Sequence, residues 1–123
     1  MSQDRLGLAQ VALLVAYAAG MAGGQMLFKA AALRYLADGT AAERAFSLVF
    51  NAYFLAAVAL YVGLTFLWVW LLTFIPLSRA YPFAALAFAI TPLLGAMVFA
   101  EPITARLLAG IALLLGGLLL IAS

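Results

Sequence analysis

The chain has 123 residues, of which 70% are hydrophobic and 8% are charged, with a net charge of +2 and neither histidine nor cysteine. Soluble domains carry about 25% charged residues to build a polar surface, so lipid must cover this one, and an integral multi-pass membrane protein is expected. The missing Cys and His exclude disulfides, thiolate metal sites and the commonest general base, and the scattered Lys and Arg residues leave nucleic-acid binding without support.

A helix needs roughly 20 apolar residues to cross about 30 Å of hydrocarbon. Four runs qualify, and none shows the period-2 alternation of a membrane barrel. The expected fold is an all-α membrane protein: four transmembrane helices with a short interfacial helix between the first and second, in a single domain over residues 1–123.

The first span is predicted over residues 8–33. Arg5, the apolar run and the small residues near Ala19 and Gly20 have the order of a signal peptide. The apolar segment continues past Gly24 to Leu33, too long for a signal core, so retention as a span is expected. Ala16, Gly20 and Gly24 recur at i, i+4, i+8, a small-residue stripe of the kind that lets helix backbones approach in lipid. Beside it run Tyr17, Met21, Gln25 and Lys29, on one adjoining face. Two readings of Lys29 are open. Its stem can reach water across the roughly 6–8 Å to the span end. Alternatively it lines the mouth of a polar cavity, a reading favoured by Gln25, which lies one turn deeper and does not snorkel easily.

The longer connection, residues 34–51, holds an Asp38-Gly39 turn and Thr40 and Glu43 at capping-box spacing. A short helix from near Ala41 is expected, either at the interface or extending the second span. The second span is predicted over residues 52–74, where Tyr61, Thr65 and Trp68 share a face. In "IPLSRAYP", Pro76 and Pro82 flank Arg79, which suits a tight loop and a helix start. The third span is predicted over residues 81–99, with Tyr81, Phe88 and Phe99 near one another around Pro92 and Gly95. In "FAEPITAR", Glu101 and Pro102 are expected at the start of the fourth span, residues 104–122, with the acid at the positive end of the helix dipole. That span carries a second seam of small residues, Ala105, Ala109, Ala112 and Gly116, for packing within one chain or between two.

Span parity puts the ends of the first and third spans on one side, so a Lys29–Glu101 pair is geometrically allowed, while Arg79 lies on the opposite side. Arg5 and Arg79 on one side against Arg34, Arg44 and Arg106 on the other, with Lys29 near the latter, is a weak charge bias. It would place the 34–51 loop in the cytoplasm.

Residues 76–121 resemble the last part of drug/metabolite transporter repeats. The pieces that carry the resemblance are "PLSRAYP" before the third span, "FAEPIT" after it and the Gly-rich "LLAGIALLLGGLLLI". The first span, with "GGQMLFKAAA", is similar to the start of the short EamA-type members. In its four-span length the chain resembles small multidrug resistance proteins and the small subunits that flip aminoarabinose-linked undecaprenyl phosphate. The resemblance implies a transporter of the bacterial inner membrane, working without cofactor or metal. It also implies a homodimer or a heterodimer with a similar small subunit, since transporters place substrate between related halves and no internal repeat supplies the second half. One departure is informative. Small multidrug transporters carry a glutamate in the first span, whereas here that span has no acid between Leu8 and Leu33 and its only charge is Lys29.

A lysine suits an anionic group such as a lipid phosphate. The expected function is therefore a transporter or flippase for an amphiphilic anion such as a polyprenyl-phosphate-linked sugar. Candidate substrate-binding residues are Lys29, Gln25, Tyr17 and Tyr61, together with Trp68, Arg79, Tyr81 and Glu101; candidate dimer or packing residues are Gly20, Gly24, Ala109, Ala112 and Gly116. Two alternatives remain. One is an exporter of polyamines or quaternary ammonium compounds, which needs an acidic site and has only Glu101. The other is a non-transporting subunit of a membrane complex. No nucleophile or acid–base constellation can be assembled, so an enzyme is not expected.

Overall fold

The computed structural model describes residues 7–34 and 39–122. Its elements in chain order are α1 (Leu8–Leu33), α2 (Ala41–Val49), α3 (Ala52–Leu72), α4 (Leu77–Ala80), a 3-10 turn (Tyr81–Ala84), α5 (Ala85–Phe99) and α6 (Ala105–Ala122). Four spans are long and apolar enough to cross a membrane: α1, α3, the continuous rod Leu77–Phe99, and α6. The chain is thus an all-α multi-pass protein with one short helix, α2, between the first two spans. Arg5 and Asp38, invoked above for orientation and for a turn, lie outside the described residues.

Several local expectations hold. Thr40 caps α2 by accepting from the Glu43 N–H at 3.2 Å. Gly39 has φ of +107°, a conformation that costs a glycine little. α2 does not extend the second span, because the chain breaks after it and restarts at Asn51. The Asn51 carboxamide accepts from the Tyr53 and Phe54 N–H groups at 2.9 and 3.4 Å. It also donates to the Ala31 carbonyl at 3.2 Å. One side chain therefore starts α3 and satisfies a carbonyl in the last turn of α1.

Two boundaries differ from expectation. The third span begins at Leu77, not Tyr81: "PLSRAYP" is the first part of the span and not a loop. Pro76 precedes the first turn, where a missing N–H costs nothing, and Pro82 is absorbed by tightening the chain into a 3-10 turn. The fourth helix begins at Ala105, with the Thr104 hydroxyl accepting from the Leu107 N–H at 3.1 Å as its cap. Glu101 and Pro102 precede this cap, so Glu101 is not an acid in the first turn of α6.

α1 is central, packing against α3 on one side and α5 on the other, while α3 and α5 make little direct contact. Lipid supplies no hydrophobic drive between helices, so close approach and dispersion hold the bundle. The glycine stripe of α1 serves that approach. A methyl group at Gly20 would come within 2.9 Å of Leu64 Cδ2, and one at Gly24 would run into the Tyr61 ring. At the other end of the bundle, Leu14, Leu71, Ile75, Ala80, Phe83 and Leu118 form a buried apolar cluster. α6 is peripheral and buries only Ile111 and Leu118. Ala109, Ala112 and Gly116 are exposed, and added methyl groups at Gly110, Gly116 and Gly117 would meet nothing within 4 Å.

Candidate functional site

Because α3 and α5 stand apart on either side of α1, a cleft remains between them with α1 as its floor. Its volume is about 490 Å³, inside the roughly 300–1,000 Å³ range of ligand pockets. Its polar lining comes from Gln25 on α1, Tyr61 on α3, and Tyr81 and Thr91 on the third span; Met21, Phe88 and Pro92 are among its apolar walls. Met21, Tyr61, Phe88 and Thr91 all lie near the middle of their spans, so the cleft sits near mid-membrane depth.

The polar groups are ordered by a short chain of hydrogen bonds. The Gln25 amide donates to the Tyr61 hydroxyl at 2.8 Å, and that hydroxyl donates to the Met21 carbonyl at 2.8 Å. Gly24 makes this possible, because only a residue without Cβ lets the Tyr61 ring come this close to α1. Phe28 stacks on the same ring at 5.5 Å. Tyr61 is thus held by three contacts, and its position is set by the glycine stripe.

Toward the Arg79 end, Tyr17 stacks on Trp68 at 4.9 Å, and Trp68 meets the edge of Tyr81 at 6.3 Å. Tyr17 and Trp68 therefore support Tyr81 from behind and do not line the cleft themselves. The Thr65 hydroxyl turns back to the Tyr61 carbonyl of its own helix at 2.8 Å, so it does not join the site. Arg79 is engaged elsewhere: its guanidinium donates to the Ile121 carbonyl in the last turn of α6, where a cation favours the helix dipole.

At the opposite end Lys29 Nζ lies 3.3 Å from Glu101 Oε2, with the two side chains 43% and 44% exposed. The pair allowed by span parity is formed, and Lys29 stands beyond the cleft lining with a counter-ion. The local backbone carries Glu101 to it. Ala100 ends α5 with φ of +54°, the only positive φ at a non-glycine residue among those described. The Glu101 N–H donates to the Gly95 carbonyl at 3.4 Å. The Glu101 carboxylate then folds back over Gly95, into the space a Cβ would fill. A left-handed alanine costs about 1–2 kcal/mol, and a carboxylate near a helix C-terminus is unfavourable. Lys29 supplies the counter-charge for that carboxylate.

Sequence reasoning found Gln25, Tyr61 and Tyr81 in the cleft and the Lys29–Glu101 pair beside it. It missed Thr91 as a lining group, had Phe88 only among the aromatic residues around Pro92, and missed Gly95 as the seat of Glu101. Pro92 is the signal that points to the first two, since a mid-span proline leaves the Phe88 carbonyl without its usual donor. Among the described residues no group of three acids is placed to hold a metal ion. Comparison with protein-family models, with curated proteins and with solved structures gave no match.

Proposed function

We propose that the chain is a transporter or flippase subunit of the bacterial inner membrane that moves an amphiphilic anion, such as a polyprenyl-phosphate-linked sugar. The observation that carries the reading is the cleft: a largely apolar space near mid-membrane depth with Gln25, Tyr61, Tyr81 and Thr91 in its lining, beside a span that holds Pro82 in a 3-10 turn and Pro92 within α5. Polar groups in hydrocarbon are costly unless partnered, so a cluster of them marks a substrate path or a helix contact, and transporter sites lie near the midplane. Phe88 and Tyr81 are exposed at the cleft rim, so an amphiphile could enter from the side and leave its tail in lipid. Lys29 lies one turn from Gln25, and its half-exposed ammonium, paired with Glu101, would exchange that carboxylate for the phosphate.

Export of a small cation fits less well, because the cleft has no carboxylate and Glu101 is already neutralised by Lys29. A second copy, or a similar small subunit, completes the path across the exposed small-residue face of α6. The test is reconstitution of the pure chain in liposomes. Lipid-linked sugar should scramble between leaflets while drug cations are not moved. Cation transport without lipid scrambling would overturn the reading, and movement of neither would favour the non-transporting subunit.

A further inference from the structure

The polar groups facing the cleft have an unusual balance. The Tyr61 hydroxyl has its donor committed, accepting from Gln25 and donating to Met21. Neither the Thr91 nor the Tyr81 hydroxyl has a hydrogen-bond partner among the described residues. The Gln25 carboxamide spends one N–H on Tyr61 and keeps its oxygen and its other N–H open. Pro92 leaves the Phe88 carbonyl without an i+4 donor on the same stretch of α5. The space thus offers two hydroxyls, an amide oxygen and N–H, and a freed carbonyl, with no Asp, Glu, Lys or Arg in its lining. Unpaired polar groups at this depth are costly without a partner. A partner suited to them brings hydroxyl donors of its own, carries no charge and has an apolar face for Tyr81 and Phe88. An ammonium would find acceptors here but no counter-charge, and an anion would find the two hydroxyls and an amide N–H but no cation in the lining.

We propose that the cleft binds an uncharged, hydroxyl-bearing ring: the neutral sugar of the amphiphile whose phosphate goes to Lys29. The inference rests on the transporter reading above and narrows its substrate class. Gln25 and Lys29 lie one helical turn apart, about 6 Å, so one molecule spans both with its sugar toward the bundle centre. Thr91 and Gln25 are then the specificity-determining residues.

The experiment measures binding of radiolabelled lipids to the full chain in nanodiscs. The probes are polyprenyl phosphoglucose, polyprenyl phosphoglucosamine and bare polyprenyl phosphate of equal chain length, with uncharged octyl glucoside as a fourth. The glucose-bearing lipid should bind about tenfold more tightly than either other lipid, the effect of one or two well-paired hydroxyls. Thr91→Val should remove most of that advantage and leave bare polyprenyl phosphate unchanged, while Thr91→Ser should restore it. Gln25→Glu should turn the preference toward the glucosamine lipid. Equal affinity for the sugar-bearing and bare lipids, or tighter binding of the glucosamine lipid by the unaltered chain, would overturn the assignment while leaving the anion reading intact. Thr91-dependent retention of octyl glucoside, with no binding of any phosphate lipid, would do the reverse.

Discussion

Gly24→Ala places a methyl group against the edge of the Tyr61 ring, and the ring has nowhere cheap to go. It is stacked on Phe28 at 5.5 Å and its hydroxyl is tied to Gln25 and Met21, each at 2.8 Å. Overpacking of this kind costs roughly 1–3 kcal/mol. Moving the ring also weakens two hydrogen bonds, worth about 0.6 kcal/mol each within a membrane. Alanine returns about 1 kcal/mol of helix propensity, leaving a net destabilisation of about 1–3 kcal/mol. Gly20→Ala meets the far end of the Leu64 side chain, a flexible group, so its cost should be smaller. Gly116→Ala meets nothing within 4 Å and should leave monomer stability unchanged or slightly raised. The assay is reversible unfolding in mixed detergent and lipid, followed by far-UV circular dichroism, for all three variants. The order Gly24, Gly20, Gly116 from most to least destabilised is expected. If Gly24→Ala proves as stable as Gly116→Ala, the close approach of Tyr61 to α1 does not organise the fold.

Lys29→Ala should abolish lipid scrambling with expression intact, and Lys29→Arg should keep part of it, because the charge survives with a different geometry; normal transport by Lys29→Ala would remove Lys29 from the site. Glu101→Gln should cost only about 0–1 kcal/mol, since the ion pair is half exposed. In a double-mutant cycle the Glu101→Gln and Lys29→Ala effects should be less than additive, and strict additivity would mean that the pair contributes nothing. Asn51→Ala removes the cap of α3 and the tie to α1, and should destabilise by about 1–2 kcal/mol in the same unfolding assay. Ala109→Leu and Gly116→Leu should weaken dimerisation, read by crosslinking in detergent, while leaving the monomer fold unchanged; a crosslinking pattern that they do not alter would place the subunit contact elsewhere.

The existence of four spans follows from length and hydropathy alone, because hydrocarbon thickness demands long apolar runs whatever their partners, and the short helix between the first two is signalled by the spacing of Thr40 and Glu43. The cap at Thr40 is likewise local, since its hydroxyl meets an N–H three residues away. The role of the glycines depends on partners. Both small-residue seams look alike along the chain, yet one is filled by Leu64 and Tyr61 and the other faces outward. Spacing marks a face and says nothing of what lies against it. Glu101 shows the same limit: next to a proline it reads as the first turn of a helix, but the left-handed turn at Ala100 carries it back over Gly95 to Lys29, 72 residues earlier. Gln25 and Lys29 could be seen as polar neighbours on one helix face. Their separation into a cleft-facing amide and an ion-paired ammonium required α3 to bring Tyr61 to one and the α5 terminus to bring Glu101 to the other. Local chemistry sets where a helix begins and which face is polar, whereas the partner of each polar group is set by which helices lie alongside.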